Sequence, residues 1–419
     1  MVVAEVVGVG IFLTPATMMR TLGGTGSALM LWGGMGAFSI AGALCYAELS
    51  TRYPRAGGAY VFLREAFGRR TAFLYGWMSL LVVDPGLTAA LGIGFAQYLL
   101  ATAGAPSAWL VPTALASLIG FGLLTLIGLR TSARVLRVTA AAKLAIVAIL
   151  VLAAVAHAGS APAASAAAST PAAWRTATLA PAIIAAFFAF GGWWDLGKMS
   201  EDVVDPRRTM PRALIGGVAL VALIYALVTM AFMRFTALPG VATDDALVAA
   251  VGAALFGSRA ARLLAAMVTV TVAGSLSAVL LGAPRVYIAM ARDRLFPLRL
   301  AHVDARRGIP TGATLVQVAL ACVLVLLGSF NDILAYFVPA AVFFLGLSAA
   351  AILVLARPAS DHRVFRAPLH PLPIAVFLML IAAMLVLFVA GQPRQTFTGA
   401  AVILIGLPVS AFVIRTRRV

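Results

Sequence analysis

The sequence predicts an all-α integral membrane protein of about twelve transmembrane helices. Two inverted repeats of five make up its body, helices 1 and 6 are broken, and two peripheral helices are left over. Three observations predict this. The 419 residues are 63% hydrophobic and 11% charged, with a mean hydropathy of +1.04, which excludes a soluble fold. Apolar runs close to the ~20 residues of a spanning helix recur along the chain. Two of those runs, five spans apart, carry glycines at their centres.

Span 1 (2–20) is interrupted by Val7-Gly8-Val9-Gly10. Met1 opens almost directly into it, so a further segment upstream is expected. Span 2 (27–48) leads into the loop 49–69. There Arg52-Tyr53-Pro54-Arg55-Ala56-Gly57-Gly58-Ala59-Tyr60 precedes an amphipathic stretch ending at Gly68, read as a short interfacial helix. Span 3 (70–101) holds Asp84-Pro85 near its middle, where proline frees a carbonyl. Spans 4 (110–129) and 5 (135–157) follow, with Lys143 inside the fifth. The low-complexity stretch 157–177 reads as a flexible external loop. Span 6 (178–201) is interrupted at Phe190-Gly191-Gly192-Trp193. Spans 7 to 10 (211–236, 260–292, 311–329 and 332–356) complete the second half, and 369–390 and 397–414 are peripheral. Five is odd, so the second half enters from the opposite side, which makes the repeat inverted. The chain therefore reads as one transmembrane domain over 1–419, with repeats at 1–157 and 178–356 and a peripheral pair within 369–414.

The formal net charge of +17 invites a nucleic-acid reading, and its distribution argues against one. With the first end labelled inside, the inner loops take most of the 31 basic residues, including Arg64, Arg69, Arg70, Lys198, Arg207, Arg208 and Arg212. The outer side holds only Arg20, Arg175, Arg234, Arg259, Arg262 and Arg394. This is the positive-inside pattern, and it predicts cytoplasmic N- and C-termini. Basic loops against anionic membrane lipid account for the charge without nucleic acid. Cys45 and Cys322 fall inside separate spans, as small apolar packers rather than a disulfide or zinc pair. No metal or cofactor is expected.

A helix that unwinds inside a bilayer strands N–H and C=O groups where no water can satisfy them. That is tolerated only where the backbone is buried in protein or lines a cavity. A matching pair of broken spans points to the binding site of a secondary transporter. Beyond the first break a new helix starts near Ile11, so the N–H groups of Val9, Gly10 and Ile11 face the gap and favour an anion. The first half of span 6 ends near Phe190, leaving the Ala189 and Phe190 carbonyls for a cation. One zwitterion satisfies both sets, hence an α-amino acid. The candidate binding residues are Val7, Gly8, Val9, Gly10 and Ile11 with Ala189, Phe190, Gly191, Gly192 and Trp193, and Phe190, Trp193 and Trp194 line the side-chain pocket. Glycine pairs also simply let helices pack; two breaks in register favour binding.

Four stretches carry a family resemblance. They are Gly8-Val9-Gly10-Ile11-Phe12-Leu13-Thr14-Pro15; Glu48-Leu49 through Pro54-Arg55-Ala56-Gly57-Gly58-Ala59-Tyr60; Phe190-Gly191-Gly192-Trp193 with Glu201-Asp202-Val203-Val204-Asp205-Pro206; and Arg285-Val286-Tyr287-Ile288-Ala289-Met290-Ala291-Arg292-Asp293. In this order they resemble the amino acid–polyamine–organocation superfamily, and within it prokaryotic permeases close to the L-type amino acid transporters. The resemblance implies the five-plus-five, LeuT-like inverted repeat and alternating access. Val9 stands where the family often has serine, which removes a hydroxyl from the first break, and Ser277 stands where relatives often have asparagine. Animal L-type transporters link to a heavy chain through a cysteine between spans 3 and 4. Loop 102–109 has none, so no disulfide-linked heavy chain is expected.

Charges inside spans are costly, about 2.5–3.5 kcal/mol at a helix centre on insertion scales, so each is a candidate for coupling or gating. The resemblance places Lys143 against the first break, as a proton-cycling group or a permanent structural cation. Glu5 reads as a partner for Lys143, a proton acceptor, or a carboxylate reaching the inner surface. Asp84 faces the central cavity or pairs for structure. Glu48, Glu201, Asp202, Arg285 and Arg292 lie near cytoplasmic span ends, as gate ion pairs or solvated surface charges. Asp195 reads as a cap on the second half of span 6.

The expected function is secondary transport of amino acids across the inner membrane, by proton symport or exchange. A polyamine or cationic amino acid carrier and a transport-inactive sensor or truncated remnant are the alternatives. An enzyme is not expected, because His157, His302, His362 and His370 are scattered in or beside loops and no Walker-type Gly-Lys-Ser/Thr motif is present.

Overall fold

A computed structural model describes residues 6, 10–22, 25–127, 145–146, 148–149, 152, 175–235, 248, 251–253, 257–297, 302–303, 310–355 and 364–416. Among these, every regular element is a helix. In chain order they are α1 (Gly10–Leu22), α2 (Thr25–Arg52), α3 (Ala59–Met78), a π-helical turn (Ser79–Val83), α4 (Asp84–Ala103), α5 (Leu110–Ile127) and α6 (Thr176–Phe190). A 3₁₀ segment (Trp193–Asp202) comes next, then α7 (Pro206–Phe235), α8 (Ser258–Gly282), α9 (Pro284–Arg292), α10 (Thr311–Leu327), α11 (Phe330–Val354), α12 (Leu372–Gly391) and α13 (Pro393–Thr416). Among the described residues, eight helical runs are long and apolar enough to cross a membrane, and Thr176–Phe190 and Thr311–Leu327 are shorter apolar helices. Predicted span 5 lies mostly outside the described residues, as does the centre of span 1.

Span 3 is longer than its apolar pattern suggests. The stretch expected as a separate interfacial helix runs on into it, giving one 45-residue run, Ala59–Ala103. Only Gly68, at φ 83° and ψ −177°, interrupts its first part. The second irregularity is the π turn before Asp84. Pro85 has no N–H, and the turn ahead of it widens so that the Asp84 N–H reaches the Ser79 carbonyl.

The helices pair in a regular way. α1 packs along α6, α2 along α7, α4 along α8 and α5 along α10. The α1–α6 contact is close enough that a Cβ on Gly10 would stand 2.4 Å from the Ala189 Cα, which is backbone and cannot swing aside. Gly33, on an exposed face of α2, has nothing within 4 Å of such an atom. Gly10→Ala is expected to lower stability by about 1–3 kcal/mol, the usual cost of overpacking. Gly33→Ala is expected to leave it unchanged. Thermal unfolding of both variants in detergent reads the contrast.

Candidate functional site

α6 ends at Phe190 because the next two residues leave helical space. Gly191 is extended (φ −62°, ψ 157°) and Gly192 has φ 105°, a region glycine enters without the Cβ penalty. The chain resumes as a 3₁₀ segment, in which residues three apart eclipse one another. That periodicity sorts its side chains. Trp193 and Leu196 share one face and are buried. Asp195 and Lys198 share another, and the lysine ammonium lies 2.8 Å from the Asp195 carboxylate.

Lys198 also reaches across to α4, where its Nζ is 3.9 Å from Asp84 Oδ1. The other oxygen of Asp84 accepts a hydrogen bond from the Tyr287 hydroxyl of α9. Asp84 and Lys198 are 2% and 6% exposed. One buried ammonium is thus held by two carboxylates from different segments. The three charges line a cavity together with Val6 and Gly10 at the start of α1, Phe187, Phe188, Gly191, Gly192 and Trp194 at the break, and Ser275 and Val279 of α8. Its volume is about 80 Å³, counted as space open to the centres of water molecules. One water needs about 10–15 Å³ on that measure, so the cavity suits a handful of waters or one small solute.

The candidate residues divide as follows. Gly10, Gly191 and Gly192 line the cavity, as does Asp84. Val7, Gly8, Val9, Glu5 and Lys143 lie outside the described residues. Ile11 is fully buried at the first turn of α1. The Ala189 carbonyl, expected to be free, accepts the Tyr225 hydroxyl of α7 at 2.8 Å, and the same hydroxyl lies 2.8 Å from the Val6 carbonyl. A hydroxyl has one hydrogen, so it serves one of these carbonyls at a time. Phe190 is turned into a cluster with Trp32 and Tyr225, its ring centroid 5.5 and 5.0 Å from theirs. Trp193 packs edge-on to Tyr46 and over Gly42, where a Cβ would meet its ring at 2.5 Å. Trp194 is the tryptophan that lines the cavity.

On α8 the Ser277 hydroxyl donates to the Ala273 carbonyl of its own helix, and Ser275 is the serine on the cavity. Glu201 is exposed, accepts the Ala56 N–H at 3.2 Å and lies 3.6 Å from Arg292. Arg285 stands half-buried at the start of α9. Glu48 is not a surface charge: it is buried, paired with Arg52, and accepts the Ala367 N–H at 3.1 Å. The Asp195 side chain, expected as a cap, is engaged by Lys198. Lys198 itself, grouped above with the inner-loop charges, is the site residue that sequence reasoning missed. Its i,i+3 spacing from Asp195 was the available signal. Among the described residues, no group of three His, Cys, Asp or Glu is placed to hold a metal ion.

A bundle of apolar helices around a small, partly charged cavity at a helix break defines a membrane protein that handles a small polar solute. The amino acid permease family profile matches residues 1–412, and the chain belongs to that family. It is 26% identical over 418 residues to the serine/threonine exchanger SteT of Bacillus subtilis, covering 98% of this chain and 93% of SteT. It is 27% identical to the mouse b(0,+)-type amino acid transporter 1 (94% and 80% of the two chains) and 28% identical to the mouse Asc-type amino acid transporter 1 (97% and 78%). The family is one of multi-pass membrane transporters, and amino acid transport is the activity these relatives support.

Two substitutions probe the site. Lys198→Met leaves Asp195 and Asp84 buried without their cation and is expected to cost about 3–5 kcal/mol. Adding Asp195→Asn should restore more than half of the lost thermal midpoint, whereas independent effects would only accumulate. Tyr225→Phe removes the hydroxyl shared by α1 and α6 and is expected to cost about 1–3 kcal/mol, the price of an unsatisfied buried carbonyl. Unfolding followed in detergent measures both.

Proposed function

We propose that this chain is a secondary active transporter of small neutral amino acids, working by alternating access in the inner membrane with both termini cytoplasmic. The observation that carries the reading is the small cavity where α1 begins and α6 ends. Val6 and Gly10 line it from one segment, and Phe187, Phe188, Gly191 and Gly192 from the other. The substrate carboxylate is held by N–H groups of the stretch Val7-Gly8-Val9-Gly10-Ile11, where the helix dipole favours an anion. Its ammonium is held by the carbonyls of Ala189 and Phe190, Ala189 using the lone pair that Tyr225 leaves open. Gly191 and Gly192 admit close approach, and Trp194 meets the side chain in place of Trp193.

The contacts α1–α6, α2–α7, α4–α8 and α5–α10 join predicted spans 1 to 4 to the spans five further on. Contacts between corresponding elements are what a two-fold repeat produces near its axis, and they support the five-plus-five, LeuT-like arrangement. With it go the twelve-span layout, the repeats at 1–157 and 178–356 and the pair within 369–414. Glu5 and Lys143 belong with the first break, and Glu201 and Arg285 with the cytoplasmic closure. No disulfide-linked heavy chain is invoked, since loop 102–109 lacks cysteine.

A neutral substrate is favoured over a polyamine or basic amino acid, because Lys198 already occupies Asp195 at 2.8 Å. The printed name of SteT, a serine/threonine exchanger, points the same way. Purified protein in liposomes preloaded with unlabelled serine, threonine and alanine is expected to take up the labelled forms several-fold faster than unloaded vesicles. Labelled lysine and putrescine should not enter. Vesicles that take up no amino acid under either condition would refute transport, and preferential putrescine uptake would replace this reading with the polyamine one.

A further inference from the structure

Among the described residues, the charges at the cavity do not balance. Asp84 and Asp195 bring two carboxylates and Lys198 one ammonium. Tyr46, Tyr75, Ser79 and Ser275 line the same space with neutral hydroxyls, and Tyr287 faces Asp84 from α9 with another. Fully ionised, the group carries one excess negative charge, and Asp84 is buried. Such a charge is costly unless something positive joins it. The excess belongs to Asp84, since Lys198 sits 2.8 Å from Asp195 and 3.9 Å from Asp84. A proton is the positive charge that needs no further space there.

We propose that Asp84 is the proton site of this transporter, carrying one proton inward with each amino acid. The inference rests on the transporter reading above and deepens it to proton symport. The proton goes to Oδ1, because Oδ2 is engaged by the Tyr287 hydroxyl. It comes from water on the outer side, forms an O–H bond that neutralises the triad as the cavity closes, and returns to water on the inner side. Lys198 stays paired with Asp195 throughout and holds the second half of the broken helix against α4. The position explains the π turn as well: widening the helix ahead of Pro85 sets Asp84 at the cavity wall rather than in the regular phase of the rod.

The experiment uses the full chain in liposomes containing a pH-sensitive dye, with labelled serine. Two modes are compared, uptake driven by an inward proton gradient and counterflow against preloaded serine. In the wild type, serine is expected to acidify the lumen, and one pH unit should raise accumulation by up to ~tenfold, the limit for one proton per substrate. Asp84→Asn keeps the acceptor for Tyr287 but binds no proton. It should lose gradient-driven accumulation and acidification while counterflow persists at a reduced rate. Tyr287→Phe removes a donor to the ionised form, so coupling should persist with its pH midpoint moved upward. Wild-type counterflow without acidification would overturn the proton site and leave the transporter reading standing. Acidification that survives in Asp84→Asn would overturn it too. Should Asp84→Asn also lose counterflow, Tyr287→Phe decides: an upward midpoint supports the site, and an unmoved one overturns it.

Discussion

At mid-membrane a backbone polar group has only protein to bond with, and the break at Gly191–Gly192 forces the surrounding structure to answer that constraint. The responses are specific. The Phe188 carbonyl takes the Gly191 N–H at 3.1 Å, the Ala189 carbonyl takes the Tyr225 hydroxyl, and α1 presses so close to α6 that only a hydrogen fits on Gly10. Tyr225 stands between carbonyls of two separate segments and has one proton to give. It therefore couples them: whichever carbonyl it serves leaves the other open to a ligand. A break that looks like a local defect is thus the reason for a tyrosine on α7, a glycine on α1 and a cavity between them.

The same break changes the helix type that follows, and with it the electrostatics. An α-helix advances 100° per residue and a 3₁₀ helix 120°. The segment Trp193–Asp202 uses the tighter form, which puts Asp195 directly over Lys198 and sends Trp193 and Trp194 to different surroundings. Burying an ammonium alone would be prohibitive; with two carboxylates around it the cation becomes a tie between the broken helix and α4. Buried ion pairs of this kind contribute little net stability relative to apolar replacements. Their value here is positional, since they fix where the second half of span 6 sits against a neighbour across the cavity.

Much of the fold was legible because it rests on signals that survive without tertiary context. Length and hydropathy place the helices, Gly191–Gly192 places the break to the residue, and Asp84-Pro85 announces an irregular turn at the cavity. What was not legible depends on phase. Ser275 and Ser277 differ by 200° around α8, so choosing the cavity serine needs the rotation of that helix, which packing against α4 decides. Trp193 and Trp194 could not be separated while the segment was taken as α-helical. Lys198 was grouped with the loop charges because twelve residues of mixed polarity follow Gly191, and the positive-inside pattern absorbs any lysine near a span end. Glu48 was left between an ion pair and a solvated charge because one of its partners, the Ala367 N–H, comes from 319 residues away.

The 53–58 loop shows how the site is tied to the end of the bundle. Gly57 and Gly58, at φ 112° and 52°, turn the 53–58 loop back onto the 3₁₀ segment. The Gly57 N–H donates to the Lys198 carbonyl at 3.3 Å, and a Cβ on Gly58 would meet the Lys198 backbone N at 2.9 Å. The residue whose side chain holds Asp84 and Asp195 at the cavity therefore has its main chain clasped by the 53–58 loop. A few residues on, Glu201 receives the Ala56 N–H, and Arg64 and Tyr60 of α3 both bind Asp293 just beyond α9. Displacing the second half of the broken helix must part the loop clasp and the Lys198 bridge together, because both act on the same residue. A movement at the loop clasp is therefore felt at the charges that line the cavity.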